Sequence, residues 1–171
     1  MATQKWMSFL ILYIYSTIIF GYEAKIKLSS LEKKHSQEQS GDELYISITE
    51  YSKNHLPRNY QFPAFPSHWL SQHVSNVKDA VIWKKELKEC EDIDLLINLV
   101  EEDVQPWNVD DSLGSLKLKL SCQNGKTQGQ WEIPDSKTVS KAPNQKDKFS
   151  FTGSNGQYEL QFSFENIEIK A

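Results

Sequence analysis

A period of two near the C-terminus constrains the fold most. Tyr158, Leu160, Phe162 and Phe164 alternate with Glu159, Gln161, Ser163 and Glu165. Successive side chains of a strand point to opposite faces, so this stretch predicts a strand with one dry and one wet side. The pattern returns at Glu43 to Tyr51, where Leu44, Ile46 and Ile48 oppose Tyr45, Ser47 and Thr49. It returns again at Ser115 to Leu120, where three leucines oppose Lys117 and Lys119. Ile93 to Val100 is almost continuously apolar and reads as a strand buried on both faces. Asn124-Gly125 is a type I′ hairpin signal leading into Gln128 to Ile133, where Trp131 and Ile133 face inward. Ser154-Asn155-Gly156 turns a second hairpin, from Phe149 and Phe151 into the C-terminal strand. The expectation is an all-β chain, an antiparallel sandwich of seven to eight strands. Its aromatic stripe reads as core rather than ligand site.

Between these strands the pattern is weaker. Ser52 to Pro66 reads as a loop, because Pro57, Pro63 and Pro66 forbid helix and weaken a central strand. Ser67 to Asp79 predicts one short helical insertion, with Ser67 as N-cap and Leu70, Val74 and Val77 at helical spacing. His68 and His73 lie five apart, whereas helical metal ligands sit three or four apart, so they read as ordinary polar positions. Ala80 to Trp83 is strand-like, and Leu87 to Asp92 a charged turn. Pro134 to Asp147 reads as a long polar loop.

The N-terminus has its own logic. Lys5 and the apolar run Trp6 to Phe20 predict a secretory signal peptide over residues 1–21, cleaved after Gly21 or Ala24. The apolar run is short for a bilayer span. Residues 22–41, rich in Ser, Gln, Glu and Lys, read as a flexible polar leader. The domain would then occupy 42–171 and act as a monomer with no transmembrane span.

The formal charge is −4. Without Lys5, 18 basic residues face 23 acidic ones, leaving −5. A mildly acidic chain with no basic cluster argues against a nucleic-acid partner. Cys90 and Cys122 are an even pair in an exported chain, hence a disulfide candidate; two buried thiols are the other reading.

The chemistry gathers between Val100 and Ser115, where Glu101, Glu102, Asp103, Asp110 and Asp111 share one loop. Asp103, the loop, then Asp111-Ser112-Leu113-Gly114 opening the next strand resembles the third loop of C2 domains. Leu44 to Pro57 resembles the first C2 strand and its turn, and Asp79-Ala80-Val81-Ile82 is the nearest counterpart of the first-loop acid. C2 domains are β-sandwiches that often bind Ca2+ and phospholipid at their loop ends. The resemblance implies Ca2+ ligands at Asp103, Asp110, Asp111 and Asp79. Gln105 stands where the family has a further acid, so the implied affinity is weak. It also implies membrane contact through Trp107 at the loop's apex.

No nucleophile–base pair, metalloprotease motif or phosphate-cradling loop is legible, so no enzyme is expected. The expected function is a secreted, non-enzymatic binding module with weak Ca2+-dependent membrane or phospholipid contact. The alternative is calcium-free protein recognition through Tyr60, Phe62, Phe65 and Trp69, an aromatic insertion on a rigid scaffold.

Overall fold

The computed structural model describes residues 21–53, 55–87, 90–103, 109–124 and 126–169. Among the described residues eleven strands form two antiparallel sheets packed face to face. They are β1 (Gly21–His35), β2 (Glu43–Ser52), β3 (Arg58–Phe62), β4 (Trp69–Leu70), β5 (Lys78–Leu87), β6 (Ile93–Glu101), β7 (Asp111–Gln123), β8 (Lys126–Glu132), β9 (Val139–Lys141), β10 (Lys148–Gly153) and β11 (Gly156–Ile169). One sheet runs β5-β1-β11-β10-β9. The other runs β3-β2-β6-β7-β8, with β4 also pairing on β2. This is the all-β sandwich that the alternation predicts, built from more strands than expected.

The core lies between the sheets. Ile26, Leu28, Phe149, Phe151, Tyr158, Leu160 and Phe162 come from one side, Leu44, Ile46, Ile48, Leu95, Ile97, Leu116 and Leu118 from the other. Trp131 tilts against Phe149 and Phe162, with ring centroids at 5.7 and 5.3 Å. At the β10–β11 hairpin, Ser154 and Asn155 both adopt positive φ, as a primed turn requires.

Several expectations need correction. Most of the expected leader, 22–41, is ordered strand: Gly21–His35 is β1, an interior strand of its sheet between β5 and β11. Ala24, Ile26 and Leu28 alternate inward, and a register shift between Leu28 and Ser30 then moves Leu31 inward as well. The bulge breaks the period of two, and the polar residues form the wet face. There Lys25 and Lys27 reach Glu165 at 3.2 and 2.6 Å.

The predicted helix is absent, replaced by β4 and a single 3-10 turn at Val74–Asn76. Trp69 and Leu70 pair with Leu44 and Glu43. The Ser71 amide donates to the Asp42 carbonyl at 2.8 Å, and the Asp42 amide donates to Ser71 Oγ at 2.9 Å. These bonds use backbone groups that a helix would need for itself.

The proline-rich loop contains β3, with Pro57 before the strand and Pro63 after it. β6 is not buried on both faces: Asp94, Leu96 and Asn98 are half-buried, and Asp94 pairs with Lys117 at 2.8 Å. The long polar loop contains β9. Cys90 and Cys122 are joined as a disulfide, Cα–Cα 5.4 Å. Cys122 continues the inward parity of β7 but lies beyond the cover of the opposite sheet and is exposed. No helix among the described residues is long and apolar enough to cross a membrane. Residues 1–20, and with them the predicted signal peptide, lie outside the described residues.

Candidate functional site

Three chain connections meet at one end of the sandwich: residues 36–42 between β1 and β2, the β6–β7 connection, and the β10–β11 hairpin. Asp42 organises them. It is fully buried, and its carboxylate accepts the Glu38 amide at 2.9 Å, the Gln37 amide at 3.0 Å and the Tyr158 hydroxyl. Tyr158 belongs to the opposite sheet, so this aspartate ties both sheets to the turn between them. Burial, then the bond to Asp42, pushes the Tyr158 hydroxyl well above its ordinary pKa.

The turn holds Glu38 beside Glu101 and Asp103, and one carboxylate oxygen from each lies within 4.8 Å of the others. Glu101 is only 2 % exposed. It follows Leu95, Ile97 and Leu99 on the inward parity of β6. Its Oε2 is buried without a hydrogen-bond partner, as are Asp103 Oδ2 and Gln37 Oε1. Burial, reinforced by the carboxylates of Asp103, Asp42, Glu38 and Asp111, pushes Glu101 up to about 8. Orphaned buried oxygens amid like charge are what a hard divalent cation would satisfy, so these residues fit Ca2+.

The predicted ligands divide. Asp103 is in this group. Asp110 supports it: Oδ1 accepts the Asp103 amide at 3.2 Å and Oδ2 the Tyr45 hydroxyl at 2.8 Å. Burial and that bond raise Tyr45 to about 12. Asp111, on the first residue of β7, accepts Gln37 Nε2 at 3.4 Å and contributes negative potential at Glu101. Asp79 stands at the start of β5, the outer edge of the other sheet, outside the converging group. Gln105 and Trp107 lie outside the described residues. Gly114, from the Asp-x-ϕ-Gly motif, has φ 145 where the β6–β7 register shifts, one turn from the acids.

Sequence reasoning missed Glu38 and the special standing of Glu101. Glu38 sat in the supposed leader. Glu101 carried a legible signal, because an acid on the apolar parity of a strand must face the core.

His68 stands between Glu43 (3.6 Å) and Glu102 (3.3 Å). Beside it Glu43, Tyr45, Gln61, Phe65, Glu102, Asp103 and Asp110 line an open cleft of about 410 Å³. The four aromatic residues of the alternative reading are not one patch. Phe62 and Trp69 meet edge to face at 5.5 Å and pack on the core. The Tyr60 hydroxyl donates to Glu50 at 3.0 Å. Phe65 alone is largely free, 76 % exposed.

Set against known proteins, the chain matches no family model and no curated protein.

Proposed function

We propose that this protein is a secreted, non-enzymatic binding module, C2-like in its use of one loop-bearing end, which takes Ca2+ there and contacts a membrane surface. One observation carries the reading: Glu101 is buried among carboxylates with an oxygen that has no hydrogen-bond partner among the described residues. A cation or a cationic partner would stabilise a sandwich end so charged. The disulfide accords with export. Vesicles of phosphatidylcholine and phosphatidylserine test it: the protein should sediment with them in millimolar Ca2+ and stay in the supernatant in chelator. Equal partition in both conditions would remove membrane contact from the reading.

A second reading has one favourable observation. Phe65 projects beside the acidic cleft, an arrangement suited to a basic segment of a protein partner, its aliphatic stem on the ring and its charge against Glu43, Glu102 and Asp110. Salt-sensitive capture of a lysine-rich peptide without Ca2+, lost in Phe65→Ala, would favour it.

A further inference from the structure

We propose that Glu38, Glu101 and Asp103 are the donors of a single Ca2+ site, and that the ion fastens the β1–β2 turn to the end of β6. This deepens the reading above and rests on it, but it names a different ligand set from the loop-end aspartates implied by C2 resemblance.

Size is the first argument. Ca2+ holds oxygens at about 2.3–2.6 Å, so donors on opposite sides of one ion stand roughly 5 Å apart. The three carboxylate oxygens fall within 4.8 Å of one another, so one ion can touch all three. Charge is the second. None of the described ion pairs gives Glu38, Glu101 or Asp103 a lysine or arginine, although eleven lysine–carboxylate contacts are formed elsewhere. Glu101 is buried, one of its carboxylate oxygens lies in the group, and its Oε2 is without a hydrogen-bond partner, as is the buried Asp103 Oδ2. A buried carboxylate oxygen left without a donor is costly, and an ion bound by the Glu101 and Asp103 carboxylates offsets that cost.

Preorganisation is the third argument. Asp42 grips the amides of Gln37 and Glu38, and Asp110 grips the amide of Asp103. These aspartates have their oxygens committed to holding the donors in place, which leaves them poorly placed to be donors themselves. Three carboxylates without His or Cys form a hard oxygen set that suits Ca2+ rather than zinc or copper. Glu38 is exposed, so water completes the six to eight positions, and the affinity belongs in the range of extracellular modules, about 10⁻⁴–10⁻³ M.

Titration calorimetry of the purified, disulfide-intact protein with CaCl2 after chelator treatment is the test. One ion per chain is expected. Glu38→Gln, on an exposed turn where folding is not at stake, should weaken binding by about tenfold or more, and Glu101→Gln should do the same. Asp79→Asn should leave the affinity unchanged. Hydrogen exchange gives a second readout: Ca2+ should slow the amides of residues 37–41 in the wild type and not in Glu38→Gln. If Glu38→Gln binds as tightly as wild type while Asp110→Asn or Asp79→Asn loses the ion, this donor set is wrong and the calcium module survives. If the wild type takes up no Ca2+ at millimolar concentration, the site is refuted. The vesicle experiment then decides separately whether the acidic end is a binding surface at all.

Discussion

Two buried glutamates meet opposite fates. Glu50, 2 % exposed, receives the Tyr60 hydroxyl at 3.0 Å, Trp83 Nε1 at 3.1 Å and Lys85 Nζ at 3.0 Å. Burial pushes its pKa up, but the bonds from Lys85, Trp83 and Tyr60 together outweigh that and hold it below the usual carboxylate range. Glu101, equally buried, is pushed up by burial and then by the carboxylates around it, and rises to about 8 from a reference of 4.5. Without Ca2+, the folded chain therefore binds a proton at Glu101 that the unfolded chain releases. Stability from this group is full below pH 4.5 and is lost as the pH climbs through about 8. Glu50 acts in the opposite sense, losing stability only as the pH falls through its lowered value, so the two windows do not overlap. In chelator the melting temperature should rise as the pH is lowered from about 8 to about 5.5, and Glu101→Gln should flatten that slope. A slope unchanged in the variant would mean that Glu101 is not the titrating group.

β1 shows how a strand can hide in a sequence. Ala24, Ile26 and Leu28 carry the strand period, but the bulge before Ser30 breaks it, and the wet face supplies lysines and glutamates that imitate a solvated tail. β7 from Ser115 to Leu120 and β11 from Tyr158 to Phe162 were legible because each keeps unbroken alternation there. The Ser67 to Asp79 stretch was misread for a different reason. Its spacing is helical, but only Val74 of the three apolar positions is fully buried, and Leu70 stays exposed. Long-range pairing of Trp69 and Leu70 with β2 overrides local propensity there. At the site the β6–β7 acids were visible as a group; their division into donors and supports was not, because it depends on a turn brought in from β1. Leu28→Ala measures the rank of β1. A residue fully buried at the centre of a sheet should cost about 2–5 kcal/mol in denaturant unfolding, whereas a leader residue would cost almost nothing.

Across the whole molecule, the acidic cluster and the disulfide sit at opposite ends of one hairpin. Glu101 pairs with Asp111 at the acidic end of β6 and β7, and Ile93 pairs with Leu120 at the other, next to Cys90–Cys122. The disulfide spans 32 residues, and closing a loop of that size in the unfolded chain is worth about 3–4 kcal/mol in the chain-entropy model. It also makes β6, the acidic connection and β7 a covalent ring. A protease that severs the backbone between Asp103 and Asp110 opens the ring without dividing the molecule. The nicked protein should run as one band on a non-reducing gel and as two fragments after reduction; two fragments without reductant would show that the ring is not closed. A cut between β6 and β7 thus leaves both halves tethered through Cys90–Cys122 and held in register by the sheet.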